Sequence, residues 1–180
     1  MEVSKRNLYI GCFASLILCI FYICILDYYT FPSGDEIGTA DSAINWVTNG
    51  EWYSAVWVYT YHPLHNFLLT LWISVFGVSH QAVCSMNVVI AFIVSLLCLK
   101  ILSERKITNS LFSVLLFVFL FWAIAPHSNG RIDCLMLLFS LGIADQLIPS
   151  SENRKKNNKL LAFYSFGLMF TGIYSLPILL

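Results

Sequence analysis

The sequence predicts an all-α integral membrane protein, with about five transmembrane helices and with surface helices in its first outer loop. Three observations predict this class. The 180 residues are 58% hydrophobic and only 11% charged, whereas soluble domains contain roughly 25% charged residues. Several apolar runs are long enough to cross a hydrocarbon core of about 30 Å. The basic residues cluster between these runs, as they do in the cytoplasmic loops of membrane proteins.

The first apolar run, Leu8–Leu26, follows Lys5 and Arg6. Its roughly 19 residues can cross a bilayer at about 1.5 Å per residue. The run contains no small-residue cleavage site of the kind that ends a secretory signal peptide. We therefore interpret it as an uncleaved signal anchor whose N-terminus is cytoplasmic, because basic flanks stay on the cytoplasmic side.

Residues 27–81 form the predicted extracytoplasmic loop. A helix is expected to begin near Asp35 and Glu36, since carboxylates favour the positive end of a helix dipole, and to end at Asn49, which precedes a glycine. Its apolar residues recur at a spacing typical of a helix that lies on the membrane surface: Ile37, Ala40, Ile44 and Val47. Pro63 is expected at the first position of the next helix.

The segment Leu64–Gly77 decides the predicted topology, because its roughly 14 residues are few for a membrane span. If it crosses, the basic clusters at 104–106 and 154–156 lie outside. If it rests in the outer leaflet, all ten Lys and Arg residues except Arg131 lie inside, which the positive-inside rule favours. The remaining spans then alternate in direction: Ala82–Leu102, Leu111–Ala125, Ile132–Ile148 and Leu160–Leu180.

Polar residues of this outer face are the candidate site residues. Asp35 and Glu36 could act as a general base or as metal ligands, or could only cap the helix. His62 and His65 could bind substrate, could join these carboxylates around a divalent cation, or could simply be solvated at the membrane interface. Arg131 could bind an anion such as phosphate, or pair with a local carboxylate.

Composition argues against several other classes of protein. The six cysteines all lie in apolar runs without a C-x-x-C pair, which indicates buried apolar side chains and not disulfides or a thiolate metal site. The formal net charge is zero, so no basic surface for nucleic acid is expected. Few polar residues occur in the spans, which disfavours a channel or transporter.

Taken in order, these motifs resemble the N-terminal part of the polyprenyl-phosphate-dependent glycosyltransferases of the GT-C fold. The similarity is to the protein O-mannosyltransferase and lipid A aminoarabinose transferase kind. It is carried, in chain order, by Gly34-Asp35-Glu36, Gly50-Glu51-Trp52, His62-Pro63-Leu64, Leu71-Trp72 with Phe76 to Ser79, and Gly130-Arg131-Ile132-Asp133.

The resemblance implies inverting transfer of a sugar from a polyprenyl-phosphate donor to a lipid, glycan or protein acceptor outside a bacterial plasma membrane. It implies that Asp35 is the catalytic carboxylate and Glu36 its support, with His62, His65 and Arg131 binding substrate. A divalent cation at Asp35, Glu36 and His62 is compatible with it, and no other cofactor is expected.

Members of this family continue with further spans. Residues 1–180 are therefore expected to be a single membrane domain that forms the N-terminal part of a larger module. The alternative is a non-catalytic membrane subunit, or a degenerate remnant of such an enzyme.

Overall fold

A computed structural model of the protein describes residues 34–51, 62–104, 132–148 and 157–171, together with helical positions 13, 16–18, 20 and 21. For residues 34–39 and 103 it describes the backbone alone. The elements in these ranges are α1 (Gly34–Asn49), α2 (Pro63–Phe76), α3 (His80–Glu104), α4 (Asp133–Leu147) and α5 (Asn158–Thr171). No strand occurs among the described residues, so the predicted all-α class is confirmed. The predicted span Leu111–Ala125 lies outside them.

Helix α1 begins and ends where the sequence predicts. It runs from Gly34 to Asn49, and Gly50 then adopts a φ of 73°. The N–H of Gly50 donates to the Trp46 carbonyl oxygen at 3.1 Å. Glycine suits this left-handed position because it has no Cβ to clash, so it ends the helix at little cost.

The apolar stripe of α1 packs against the protein itself. Its described members belong to the core or lie directly on it: Ala40, Ile44 and Val47. Helical periodicity predicts the stripe, and the structure shows that these residues face the bundle. Helix α1 uses them to pack against the rest of the bundle, with α2 as its main neighbour. A location of α1 at the membrane surface stays a prediction.

Helix α2 is short, and it is joined to α3 by three residues. Pro63 occupies its first turn as predicted, and its 14 residues correspond to about 21 Å, less than a hydrocarbon core. Gly77 ends the helix with a φ of 88°. Ser79 then caps α3, because its Oγ accepts the N–H of Ala82 at 3.0 Å. The length of α2 agrees with a segment that does not span.

Helix α3 is the central helix. Among the described helices, only its residues His80–Leu102 are long and apolar enough to cross a membrane, with a mean hydropathy of 2.5. Within its apolar window, 67% of the residues are buried inside the protein. The core helix of a soluble bundle has the same length and composition, so a membrane location has to be argued from the outer surface of the bundle.

The contacts of α4 fix the relative directions of three helices. Lys100 Nζ, near the C-terminus of α3, lies 3.2 Å from Asp145 Oδ2, near the C-terminus of α4, so these two helices run the same way. Helix α5 runs antiparallel to α4, because Phe139 faces Gly167 while Tyr164 faces Gly142. These are the relative directions that the predicted topology requires of the three segments.

Replacing Gly167 by leucine is expected to destabilise the α4–α5 pair. A Cβ at this position would meet the ring of Phe139, which is 6% exposed and has little room to move. Overpacking of this kind costs about 1–3 kcal/mol of the free energy of unfolding, measured as a lower Tm in detergent. Ala162→Leu, at an exposed position of the same helix, should leave the Tm within about 1 °C. Equal Tm values for the two variants would contradict the close packing.

Candidate functional site

The three charged residues at the centre of the predicted site are only partly described. Asp35 and Glu36 lie in the first turn of α1, which begins at Gly34, so the expected helix start is confirmed. Their side chains and the whole of Arg131 lie outside what the structure describes. Their catalytic and substrate-binding roles therefore stay predictions.

His62 is held at the N-terminus of α2 by the end of α5. It occupies the residue before Pro63, is 5% exposed, and its Nδ1–H donates to the carbonyl oxygen of Thr171 at 3.1 Å. This hydrogen bond fixes the tautomer, so that Nε2 of the neutral ring carries the lone pair. His62 can therefore accept a proton or a hydrogen bond at Nε2.

The charge state of His62 is set by opposing influences. Burial lowers the pKa of His62, while the hydrogen bond to Thr171 and the negative charge of Asp133 act in the opposite direction. Burial dominates, so the ring is neutral near pH 7 and Nε2 is available as an acceptor. Asp133 thus lies close enough to His62 to influence it, which places the start of α4 beside the start of α2.

Charged groups divide between the two ends of the bundle. One end contains His62, Asp133 and the C-terminus of α5. The opposite end contains Lys100 and Asp145. His62 and Asp133 therefore lie at the same end of the bundle. Asp133 follows the predicted phosphate ligand Arg131 by two positions, and the predicted topology places that part of the chain at the same end as His62.

His65 is buried inside the bundle, although the sequence allowed it to face the membrane interface. Its exposed fraction is 0%, and neither ring nitrogen has a hydrogen-bond partner among the described residues. Burial lowers the pKa of His65 to about 4, with the neighbouring His62 adding to the shift and the Asn66 side chain opposing it. His65 is therefore neutral across the physiological range.

Helix α2 has apolar residues on both its buried and its outer face. Its buried residues are the apolar Leu69 and Ile73 and the polar His65, Asn66 and Thr70. Its outer face carries large apolar residues at i, i+4 and i+8, with exposed fractions of 50% for Phe67, 51% for Leu71 and 76% for Val75. A surface helix of a water-soluble protein has an apolar stripe towards the core and polar residues on the opposite face. Helix α2 departs from this pattern because its outer face is apolar as well.

The same outward apolar surface continues on α5. Five large apolar side chains of this helix are exposed: Leu160, Phe163, Phe166, Met169 and Phe170. Its buried positions include the small or polar residues Gly167 and Thr171. Large exposed apolar patches on soluble monomers are rare and mark sites of contact with a membrane or a protein partner.

The structure also contains an ion pair that sequence analysis did not predict. Asp145 is 4% exposed and accepts hydrogen bonds from Lys100 Nζ and from Gln146 Nε2, both at 3.2 Å. Asp145 lies three residues before the end of the predicted span Ile132–Ile148, and the sequence assigns it no function. Its partner on α3 lies 45 positions earlier, and no local pattern links the two.

Replacing Lys100 by methionine should destabilise the α3–α4 contact by about 1–2 kcal/mol. The loss is smaller than the roughly 3–5 kcal/mol that breaking a fully buried ion pair costs. The Lys100 side chain is 49% exposed, and Gln146 still donates a hydrogen bond to Asp145. Glu104→Gln is the matched control, since it removes the charge of the solvent-accessible contact to Lys100 at 3.8 Å, and such a contact is worth less than about 1 kcal/mol. Denaturation in detergent measures the free energy of unfolding of both variants. An equal loss of this free energy in the two variants would contradict a specific role for Asp145.

The predicted cation site is not tested by the described side chains. Among the residues that the structure describes, no group of three His, Cys, Asp or Glu side chains is arranged to bind a metal ion. The proposed ligand set combined His62 with the carboxylates of Asp35 and Glu36, which are not among those side chains. A cation at this position stays a prediction.

A cavity of about 400 Å³ lies between α2 and α3, and neither His62 nor His65 lines it. It is lined by Trp72, Phe76, Ser79, Gln81, Ala82, Ser85 and Val89. Trp72 Nε1–H crosses it to donate to Ser85 Oγ at 3.0 Å. None of the predicted site residues with a described side chain contributes to its walls, so it is separate from the candidate site.

Comparison of the chain with models of protein families, with curated proteins and with solved structures finds no match.

Proposed function

We propose that this chain is a membrane glycosyltransferase, or the N-terminal part of one, which transfers a sugar from a polyprenyl-phosphate donor to an acceptor on the extracytoplasmic face. The reaction class rests on the ordered motifs that resemble GT-C enzymes. The described structure supports the environment that this reaction requires, which is a polar site inside a bundle with an apolar exterior.

The observation that carries the proposal is the apolar outer face of α2, together with the polar residues on its buried face. Phe67, Leu71 and Val75 point away from the bundle, where lipid would surround them at no hydrophobic cost. His65 and Asn66 point inward. Polar residues inside a membrane protein line functional sites or pair with one another, so this face of α2 favours a site within the bundle over a passive anchor.

In the proposed reaction Asp35 acts as the general base. An acceptor hydroxyl or amine attacks the anomeric carbon of the sugar, while the bond from that carbon to the phosphate oxygen breaks. The acceptor proton passes to the Asp35 carboxylate, and the polyprenyl phosphate leaves with the bonding electrons. Arg131 stabilises the negative charge that develops on the departing phosphate.

The proposed orientation places the end with His62 and Asp133 outside a bacterial plasma membrane and the end with Lys100 inside. It makes the N-terminus cytoplasmic and the protein multi-pass. The positive-inside rule supports this orientation, because basic residues accompany the Lys100 end: Lys100, Arg105, Lys106, Arg154, Lys155, Lys156 and Lys159.

The direct test is donor consumption by the purified full chain in lipid vesicles. Vesicles receive a radiolabelled polyprenyl-phosphate hexose or pentose, and release of free polyprenyl phosphate is measured with and without an added acceptor mixture. The proposal expects acceptor-dependent release above that of protein-free vesicles. Binding of the donor without consumption would instead indicate the non-catalytic subunit. If the protein neither binds nor consumes any donor, the proposal is overturned.

A further inference from the structure

His65 is a buried side chain whose two ring nitrogens both lack a hydrogen-bond partner among the described residues. It is fully buried, and neither Nδ1 nor Nε2 meets hydrogen-bond geometry with a described residue, Asn66 included. A buried polar atom without a partner costs about 1–3 kcal/mol. Native proteins therefore satisfy such atoms with protein groups, ordered water or ligand.

The chemistry of a neutral imidazole restricts what can satisfy it. The ring presents one N–H donor and one lone-pair acceptor. A phosphate or carboxylate oxygen only accepts, and a metal cation binds only the lone pair. A hydroxyl group both donates and accepts, so a hydroxyl complements a neutral histidine where an anion or a cation does not.

The surroundings of His65 agree with an uncharged partner. The burial that lowers its pKa to about 4 also makes any unpaired charge beside it expensive. His62 lies one helical turn earlier, nearer the end of the bundle, and its Nδ1 is already used by Thr171. Two neutral imidazoles in successive turns thus form an uncharged polar strip that leads inward from the proposed outer end.

We propose that His65 binds uncharged hydroxyl groups in the interior of the bundle, one that accepts a hydrogen bond from its ring N–H and another that donates to its other ring nitrogen. The hydroxyls belong either to ordered water molecules or to the sugar of the proposed donor. Only the second source rests on the proposed function. His65 thereby acts as a sugar-recognising or water-holding residue, and not as a phosphate or metal ligand.

The first experiment measures the stability of His65→Phe in the full chain without substrate. Phenylalanine keeps a flat ring of similar size and removes both nitrogens. If a hydroxyl is bound at each ring nitrogen, the variant loses two hydrogen bonds, and its Tm should fall by about 2–8 °C. His62→Phe is the matched control, because it loses one hydrogen bond, the bond to Thr171. Its change in Tm therefore measures the effect of losing a single hydrogen bond. An unchanged or higher Tm for His65→Phe would overturn the proposal.

The second experiment reports the occupant directly. Nitrogen-15 NMR of histidine-labelled protein at pH 7 should show one protonated and one hydrogen-bond-accepting ring nitrogen for His65. A cross-peak to water identifies water as the source. A shift that follows addition of a polyprenyl-phosphate sugar, and not of the same polyprenyl phosphate without sugar, identifies the sugar hydroxyl.

Resonances of an imidazole without hydrogen bonds, unmoved by either lipid, would overturn the proposal whatever the Tm shows. A hydrogen-bonded His65 in a protein that consumes no donor would instead remove only the glycosyltransferase assignment. The two failures are therefore distinguishable.

Discussion

Asp35→Asn is expected to lower the rate of acceptor-dependent donor consumption by about 10²–10⁴-fold, which is the usual contribution of a general base. Asparagine keeps the size and one side-chain oxygen of the carboxylate but cannot take the acceptor proton. The position in the first turn of α1 is fixed by the helix that begins at Gly34. The loss should therefore be chemical, with the Tm almost unchanged.

The matched control is Asp41→Asn on the same helix. Asp41 is half-buried and accepts a hydrogen bond from Asn45 Nδ2 at 3.5 Å, so it carries the same charge change without a proposed role in catalysis. Its turnover should stay within about two-fold of the wild type. Undiminished turnover in Asp35→Asn would remove the assigned base, while equal losses in both variants would point to a general effect of charge on α1.

The second large effect is a loss of stability in mild acid that originates at His65. Its pKa falls from an ordinary 6.5 to about 4 in the folded protein. Between these values the unfolded chain binds a proton that the folded chain does not, so the stability is complete above pH 6.5 and falls as the pH drops towards 4. A shift of this size corresponds to about 3 kcal/mol, or about 6–12 °C in Tm. His62, whose pKa is also lowered, contributes in the same direction.

His65→Phe isolates this contribution. The variant has no proton to bind at position 65, so its Tm should fall much less than that of the wild type between pH 7 and pH 4.5. Carboxylates that titrate in the same window contribute equally to both proteins and cancel in the difference. A variant whose Tm falls as steeply as the wild type would show that the buried histidine is not the acid-sensitive group.

Local features of the fold were predictable from the sequence because they depend on neighbouring residues. A glycine that can adopt a positive φ ends α1 at Asn49, and a proline that lacks an N–H begins α2 at Pro63. The stripe of Ala40 and Ile44 follows from helical periodicity alone. Periodicity does not show what a stripe packs against. From the sequence, this stripe is therefore predicted to lie at the membrane surface, whereas in the structure it packs on the bundle.

The site was less predictable because its contacts are long-range. The bond from His62 to Thr171 spans 109 positions, and the pair of Lys100 and Asp145 spans 45. The complete burial of His65 depends on helices that pack around α2, and the sequence signal for it, two histidines three residues apart, is equally typical of an exposed interface. The charge pattern did predict that α3 and α4 run in the same direction.

The central claim is that the two ends of the bundle lie on opposite sides of a membrane. It is tested most directly by single cysteines at positions 35, 79, 104 and 155 in a cysteine-free chain, labelled in intact cells with a membrane-impermeant maleimide. The account predicts labelling of positions 35 and 79 from outside, and of positions 104 and 155 only after permeabilisation. Labelling of positions 35 and 104 from the same side would contradict it.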